Sequence, residues 1–161
     1  MNSTITSKVD HSALRTNQAV IILLLLVAFI LNQPWIAALV SLVMLAGTAL
    51  KRPGFGILYT AVLKPLTWVK PDVLQDNPEP HRFAQGFGGV VLGAGALALF
   101  TGSSILGWGL AWVVIALAGL NLFAGFCVGC AVYYWLNRLS VPGFVKSAPA
   151  GVFPGMRPKG Q

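Results

Sequence analysis

Four long apolar runs constrain the fold of this chain more than any other feature of its sequence. They lie in predicted helices at about residues 13–31, 34–50, 79–100 and 106–136. A helix needs about 20 apolar residues to cross the ~30 Å hydrocarbon core of a bilayer. Of the 161 residues, 56% are hydrophobic and only 9% are charged, which excludes an ordinary soluble domain. The sequence predicts a single all-α domain over residues 1–161, with four transmembrane helices in two antiparallel hairpins.

The segments between and after the runs are short or interrupted. Asn32-Gln33-Pro34 and Thr101-Gly102-Ser103-Ser104 are the turns of the two hairpins. Residues 55–70 mix aromatic and apolar residues with lysines and a proline, which predicts an interfacial amphipathic segment between helices two and three. A loop packed against the bundle is the alternative. The proline- and glycine-rich residues 139–161 are predicted to form an irregular cytoplasmic tail.

The basic residues predict the topology. All 11 Lys and Arg residues lie at the same end of the predicted helices: before the first helix or in its first turn, between the second and third helices or in the first turn of the third, and after the fourth. Under the positive-inside rule both termini and the middle loop are then cytoplasmic. We predict a multi-pass protein of the bacterial inner membrane. The net charge of +7 is scattered, so it predicts contact with anionic lipid and not with nucleic acid.

The two cysteines of the chain form the motif Cys127-Val128-Gly129-Cys130. In a continuous fourth helix they would face the same way and form one dithiol, the candidate catalytic pair. On the cytoplasmic side a transient or reduced dithiol is expected over a static structural disulfide. An unbroken helix also gives poor bonding geometry, although Gly125 and Gly129 could relax it. The alternative is that both cysteines are small packing residues.

Several polar residues are predicted to surround the dithiol at the cytoplasmic mouth, where a cation would favour the thiolate. The alternative is lipid snorkelling for the arginines and interhelical hydrogen bonding for the amides. A second group, of glycines, is predicted to pack helix three closely against a neighbour. The supporting polar cluster is Arg15, Asn17, Gln18, His81, Arg82, Gln85 and Asn121, and the packing glycines are Gly86, Gly89 and Gly93.

No metal or cofactor is predicted. There is no second cysteine pair, and His11 and His81 are not spaced as ligands in the sequence. The chain also shows no phosphate loop, no Ser/His/Asp order and no intramembrane acid, so hydrolysis, phosphoryl transfer and proton pumping are not indicated.

Three motifs together carry a resemblance. They are Val9-Asp10 followed by Arg15-x-Asn17-Gln18-Ala19; His81-Arg82-Phe83-Ala84-Gln85-x-x-Gly88; and Phe126-Cys127-x-Gly129-Cys130-x-x-Tyr133. From about Val9 to Asn137 the chain resembles the integral membrane family catalogued as domain of unknown function 4395. That family has no settled activity, but its members often lie near thioredoxin-like and sulfurtransferase genes. The resemblance therefore implies thiol redox or sulfur handling.

These observations leave three functional hypotheses. The first is a membrane protein whose Cys127/Cys130 dithiol exchanges electrons or sulfur with a thioredoxin-like or sulfurtransferase protein, or with a quinone. The second is a non-catalytic accessory subunit of a larger membrane complex, with the cysteines as packing residues. The third is a small transporter of a sulfur species.

Overall fold

The computed structural model describes residues 7–66, 70–149 and 151–158, and this part of the chain is mostly helical, as predicted. A 20-residue first helix is followed by a shorter second one, a brief helical connection, two further long helices and a final short helix. These are α1 (His11–Ile30), α2 (Pro34–Ala49), α3 (Gly56–Leu58), which continues as a π-helical turn (Tyr59–Leu63), α4 (Pro78–Phe100), α5 (Ser104–Ala124) and α6 (Val128–Arg138).

Three of the described helices, α1, α4 and α5, are long and apolar enough to cross a membrane. The apolar α2 has 16 residues and is shorter than a usual span. Large apolar side chains point outward along the bundle, among them Leu23, Ile105 and Phe123, which are 62%, 93% and 85% exposed. Such a surface is typical of a protein that faces lipid. The fourth span and the sidedness of the termini remain predictions.

Helix α4 is the centre of the packing, because it contacts α2, α5 and α6. The predicted packing glycines lie on its face toward α2. A Cβ added at Gly86, Gly89 or Gly93 would lie 3.0 Å from a side-chain atom of Thr48, Leu45 or Ser41, respectively. The Ser41 hydroxyl donates a hydrogen bond of 2.8 Å to the Gly89 carbonyl. The small residues of α4 therefore let α2 approach its backbone.

A small sheet corrects the all-α prediction. Strand β1 (Ser7–Asp10) pairs antiparallel with β2 (Val73–Asp76), and Asp10 lies opposite Val73. Strand β1 leads directly into α1, and β2 leads through Asn77 into α4. The sheet thus holds the starts of α1 and α4 side by side. Four-residue strands are too short for an alternating pattern to reveal in the sequence.

The predicted continuous helix at 106–136 is wrong. Helix α5 ends at Ala124, and Gly125 adopts a left-handed conformation with φ of 65°, which only glycine takes without strain. Cys127 is extended, with φ −93° and ψ 101°, and α6 begins at Val128. The Cys130 N–H donates to the Cys127 sulfur at 3.2 Å, so Cys127 is the N-cap of α6.

The tail is irregular over its described residues but packs against the break between α5 and α6. The Cys127 N–H donates to the Gly155 carbonyl at 2.7 Å, and the Arg157 N–H donates to the Gly125 carbonyl at 2.9 Å. We call residues 155–157 the strap. In the predicted interfacial segment, Tyr59 is buried and α3 contacts α1. Residues 67–69 of that segment lie outside the described residues.

Candidate functional site

The two cysteines lie at the end of the bundle where α1 and α4 begin and α5 ends. The structure joins Cys127 and Cys130 in a disulfide with a Cα–Cα distance of 5.2 Å, within the usual range. The expected poor bonding geometry does not arise, because Cys127 precedes α6 instead of lying inside a helix. Both residues are buried, at 5% and 3% exposure. The disulfide is therefore protected, and approach to it is restricted.

Close packing of α6 on α4 fixes the position of Cys130. A Cβ added at Gly129 would lie 2.5 Å from the Cβ of Ala84 and 2.8 Å from its Cα, so the two helices meet where only glycine is accommodated. One turn before Ala84, His81 presents its Nδ1 to the Cys130 Sγ at 3.4 Å. The glycine inside the cysteine motif thus determines the distance between a sulfur and an imidazole.

The other nitrogen of His81 contacts a buried carboxylate. His81 Nε2 lies 2.9 Å from Asp76 Oδ2, and His11 Nε2 lies 3.2 Å from the same oxygen. The Asn77 N–H donates to Asp76 Oδ1 at 2.7 Å. Burial raises the pKa of Asp76, but the hydrogen bonds from His11 and His81, the His81 charge and the Asn77 N–H outweigh it and hold the pKa well below its usual range. Asp76 is therefore ionised at neutral pH.

An ionised Asp76 determines what His81 can do. A carboxylate accepts hydrogen bonds, so it assigns the proton of a neutral His81 to Nε2 and leaves the Nδ1 lone pair facing Cys130. When both ring nitrogens of His81 carry a proton, Nδ1 donates to the sulfur and Nε2 donates to Asp76. The chain Asp76–His81–Cys130 can therefore remove a proton from a thiol or return one to a thiolate.

A polar cavity of about 260 Å³ opens beside this chain and is lined by both cysteines. Three residues of the predicted polar cluster, Arg15, Gln18 and Asn121, line it together with His81. The structure therefore brings four of the seven predicted residues to the disulfide.

The remaining three residues of that cluster lie elsewhere. Asn17 accepts from the Phe55 N–H at 2.8 Å, and Gln85 donates to the Met44 carbonyl at 2.9 Å. Both line a second, apolar cavity on the other side of Cys127. Arg82 lines neither cavity, and its carbonyl faces the Thr48 hydroxyl at 3.5 Å.

Sequence reasoning missed Asp76 and the roles of His11 and Arg157. Asp76 lies in a segment that reads as a polar loop, and His11 is far from His81 in the sequence. The one indication in the sequence of an Asp76–His81 contact was that the two residues are only five positions apart, with the turn residues Asn77-Pro78 between them. In the structure, Arg157 of the strap lines the polar cavity and forms an ion pair with Asp72, just before β2.

Two overlapping sets of side chains have the spacing of metal ligands: His81, Cys127 and Cys130, and His11, Asp76 and His81. The donor atoms of each set lie within 4.8 Å of one another. The two histidines are not spaced as ligands in the sequence, but the fold brings their ring centroids to 5.6 Å from each other. The absence of a metal stays a prediction. In the disulfide form, however, the sulfurs are not the thiolates that metals bind. We interpret the cluster as a hydrogen-bonded chain.

Comparison with known proteins identifies a family but no activity. The family model described as "Domain of unknown function (DUF4395)" matches residues 9–138, so the chain belongs to that family. No curated protein matches the chain. No solved structure matches it either.

Proposed function

We propose that this member of the DUF4395 family is a thiol–disulfide oxidoreductase of the bacterial inner membrane, with Cys127 and Cys130 as its redox pair. In this proposal the chain crosses the membrane four times, with both termini and the site on the cytoplasmic side. One observation carries the proposal: the redox pair contacts an imidazole that is held by a buried carboxylate, at 3.4 Å and 2.9 Å. A pair of cysteines that served only for packing would not require such a partner.

The site supports a two-step reduction of the disulfide. A substrate thiolate entering the polar cavity attacks the Cys127 sulfur, the S–S bond breaks, and Cys130 leaves as a thiolate beside His81. Protonated His81 returns a proton to Cys130 through Nδ1. A second substrate thiolate then attacks the mixed disulfide, releases Cys127, and leaves the substrate as a disulfide. Two electrons pass to the protein pair, and the reverse sequence oxidises it.

The positions of the two sulfurs favour this order of events. Both cysteines line the polar cavity, but only Cys127 also lines the apolar one, whereas Cys130 contacts His81. Cys127 is also the N-cap of α6, where the backbone N–H groups and the positive end of the helix stabilise a thiolate. A small thiol can use the polar cavity directly. A thioredoxin-like or sulfurtransferase partner requires displacement of the strap, because Gly155 is hydrogen-bonded to Cys127.

The accessory-subunit hypothesis receives less support from the site. It treats Cys127 and Cys130 as packing residues in a tightly packed, glycine-rich bundle. Gly86, Gly89 and Gly93 do pack against α2, but Cys130 contacts the His81 imidazole at 3.4 Å. We therefore propose the oxidoreductase over the accessory subunit.

The test is the reduction rate of the disulfide in protein reconstituted into nanodiscs. Dithiothreitol is added, and the free thiols are counted by a maleimide mass shift across a pH series. His81→Gln should slow reduction by about 100-fold, the size of a general-acid contribution, and flatten the pH profile. Arg82→Gln, the adjacent control that lines neither cavity, should behave as wild type. A disulfide that is not reduced in the folded protein, or equal rates for both variants, contradicts the proposal.

A further inference from the structure

Cys127 separates two cavities of opposite character. On one side lies the polar cavity with Asp76, His81 and Arg157; on the other lies an apolar cavity of about 170 Å³. Five residues line both: Leu14, Gln18, His81, Asn121 and Cys127. A disulfide with only a soluble substrate needs only the polar cavity. The apolar cavity is a second space beside the same cysteine, and its lining indicates what it could bind.

The lining of the apolar cavity is suited to a flat ring that carries polar groups at its edge. Its walls come from α1, α2, α4, α5 and α6, and three of these helices are candidate membrane spans. The apolar lining includes Ile21, Met44, Phe87, Val114, Leu117 and Val132. The carboxamides of Asn17, Gln18, Gln85 and Asn121 interrupt it. Among the described residues the buried Oε1 of Gln18 has no hydrogen-bond donor, so it can accept from a hydroxyl of a bound molecule.

The volume of the apolar cavity limits the size of the ring that it can bind. An apolar cavity of ~150 Å³ binds benzene, so about 170 Å³ accommodates one six-membered ring. The exposure of Phe87 and Val132, at 55% and 45%, leaves the side of the cavity open toward the lipid, where a hydrophobic tail can extend. The site thus suits a ring with hydrogen-bonding oxygens on a lipid-soluble chain.

We propose that this cavity binds a lipid-soluble quinone, which oxidises the reduced Cys127–Cys130 pair. The proposal rests on the oxidoreductase function above. The reaction balances as follows: two S–H bonds break and one S–S bond forms, while the two quinone carbonyls become hydroxyls. Both electrons and both protons pass to the quinone, giving a quinol. His81 can take the Cys130 proton, and the Gln18 oxygen can accept from a quinol hydroxyl.

The experiment compares two oxidants on the reduced protein in nanodiscs. Decylubiquinone, whose fully substituted ring does not alkylate thiols, tests the apolar cavity. Diamide, a water-soluble thiol oxidant, tests the cysteines through the polar cavity. Ala118→Phe places a ring into the apolar cavity, and Ala116→Phe, on the outer face of the same helix, is the matched control. Leu117→Trp narrows the cavity independently.

Wild type and Ala116→Phe should be oxidised by both compounds. Ala118→Phe and Leu117→Trp should lose about tenfold or more in the decylubiquinone rate, because overpacking removes the site, yet keep the diamide rate of wild type. The quinone proposal is overturned if decylubiquinone fails on wild type while diamide succeeds, or if all variants react equally with decylubiquinone. A pair that dithiothreitol cannot reduce, or that diamide cannot reoxidise, refutes the oxidoreductase function itself.

Discussion

Replacing Gly129 by alanine tests whether helix packing sets the chemistry of the cysteine pair. The new Cβ would lie 2.5 Å from the Ala84 Cβ. Carbon atoms at contact are about 3.5 Å apart, so α6 must move away from α4 by about 1 Å (3.5 − 2.5). Movement of Cys130 in the same direction would lengthen its 3.4 Å contact with His81 to about 4.4 Å, beyond hydrogen-bonding distance.

The expected result is a modest loss of stability with a large loss of reactivity. Overpacking costs about 1–3 kcal/mol, and the better helix propensity of alanine offsets about 1 kcal/mol of it, which leaves a net loss of about 2 kcal/mol at most. The reduction rate should fall almost as far as in His81→Gln. Thermal unfolding measures the first effect, and the maleimide mass shift after dithiothreitol measures the second.

Two further variants isolate the cause. Gly109→Ala on α5 is the control, because an added Cβ there meets nothing within 4 Å. Adding Ala84→Gly to Gly129→Ala removes the 2.5 Å contact but leaves the 2.8 Å contact with the Ala84 Cα, so it should restore reactivity in part. A Gly129→Ala protein that is reduced at the wild-type rate would refute the inference that this contact positions Cys130.

Three other substitutions test the surrounding structure. Asp76→Asn removes the charge that both histidines share and should destabilise the fold by about 3–5 kcal/mol near neutral pH, measured by thermal unfolding. The pKa of Asp76 is lower in the folded protein than in the unfolded chain, where it is about 4. The ionised carboxylate therefore stabilises the fold above about pH 4, and this stabilisation is lost as the pH falls below about 4. The difference in unfolding free energy between wild type and Asp76→Asn should then become smaller in acid. Gly125→Ala should cost about 1–2 kcal/mol from its φ of 65°, whereas Gly119→Ala, with only Phe123 at 4.0 Å, should not destabilise; equal unfolding temperatures would contradict this. In Gly155→Ala the Cβ would lie 2.8 Å from the Cys127 carbonyl, so the strap should shift and reduction by dithiothreitol should accelerate; an unchanged rate would show that the strap does not limit access.

The sequence predicted the helical class because apolar runs of span length allow few other structures. Helix α1 begins two residues before its predicted start, and α4 begins one residue before. The interruption at Gly125 could not be predicted, since the fourth apolar run contains five glycines and the residues on both sides of Gly125 are apolar. Which glycine takes a left-handed conformation depends on the tertiary contacts of the strap.

The sequence predicted only part of the site, because the other part also depends on tertiary contacts. The motif of Cys127 and Cys130 is visible in the sequence, and so are the polar residues at the starts of the first and third predicted helices. The pairing of β1 with β2, which brings His11 to Asp76, involves eight residues without a distinctive pattern. The role of the Asp76 carboxylate in orienting His81 could therefore be seen only in the structure.

The most direct test of the central claim is the redox state of Cys127 and Cys130 in native membranes. Membranes are quenched in acid, free thiols are alkylated, and the peptide that contains both cysteines is analysed by mass spectrometry before and after a pulse of dithiothreitol. The account predicts a disulfide that is reduced by the pulse and re-forms when the reductant is removed. A pair that stays fully reduced throughout, or a disulfide that the reductant leaves intact in the folded protein, would contradict it.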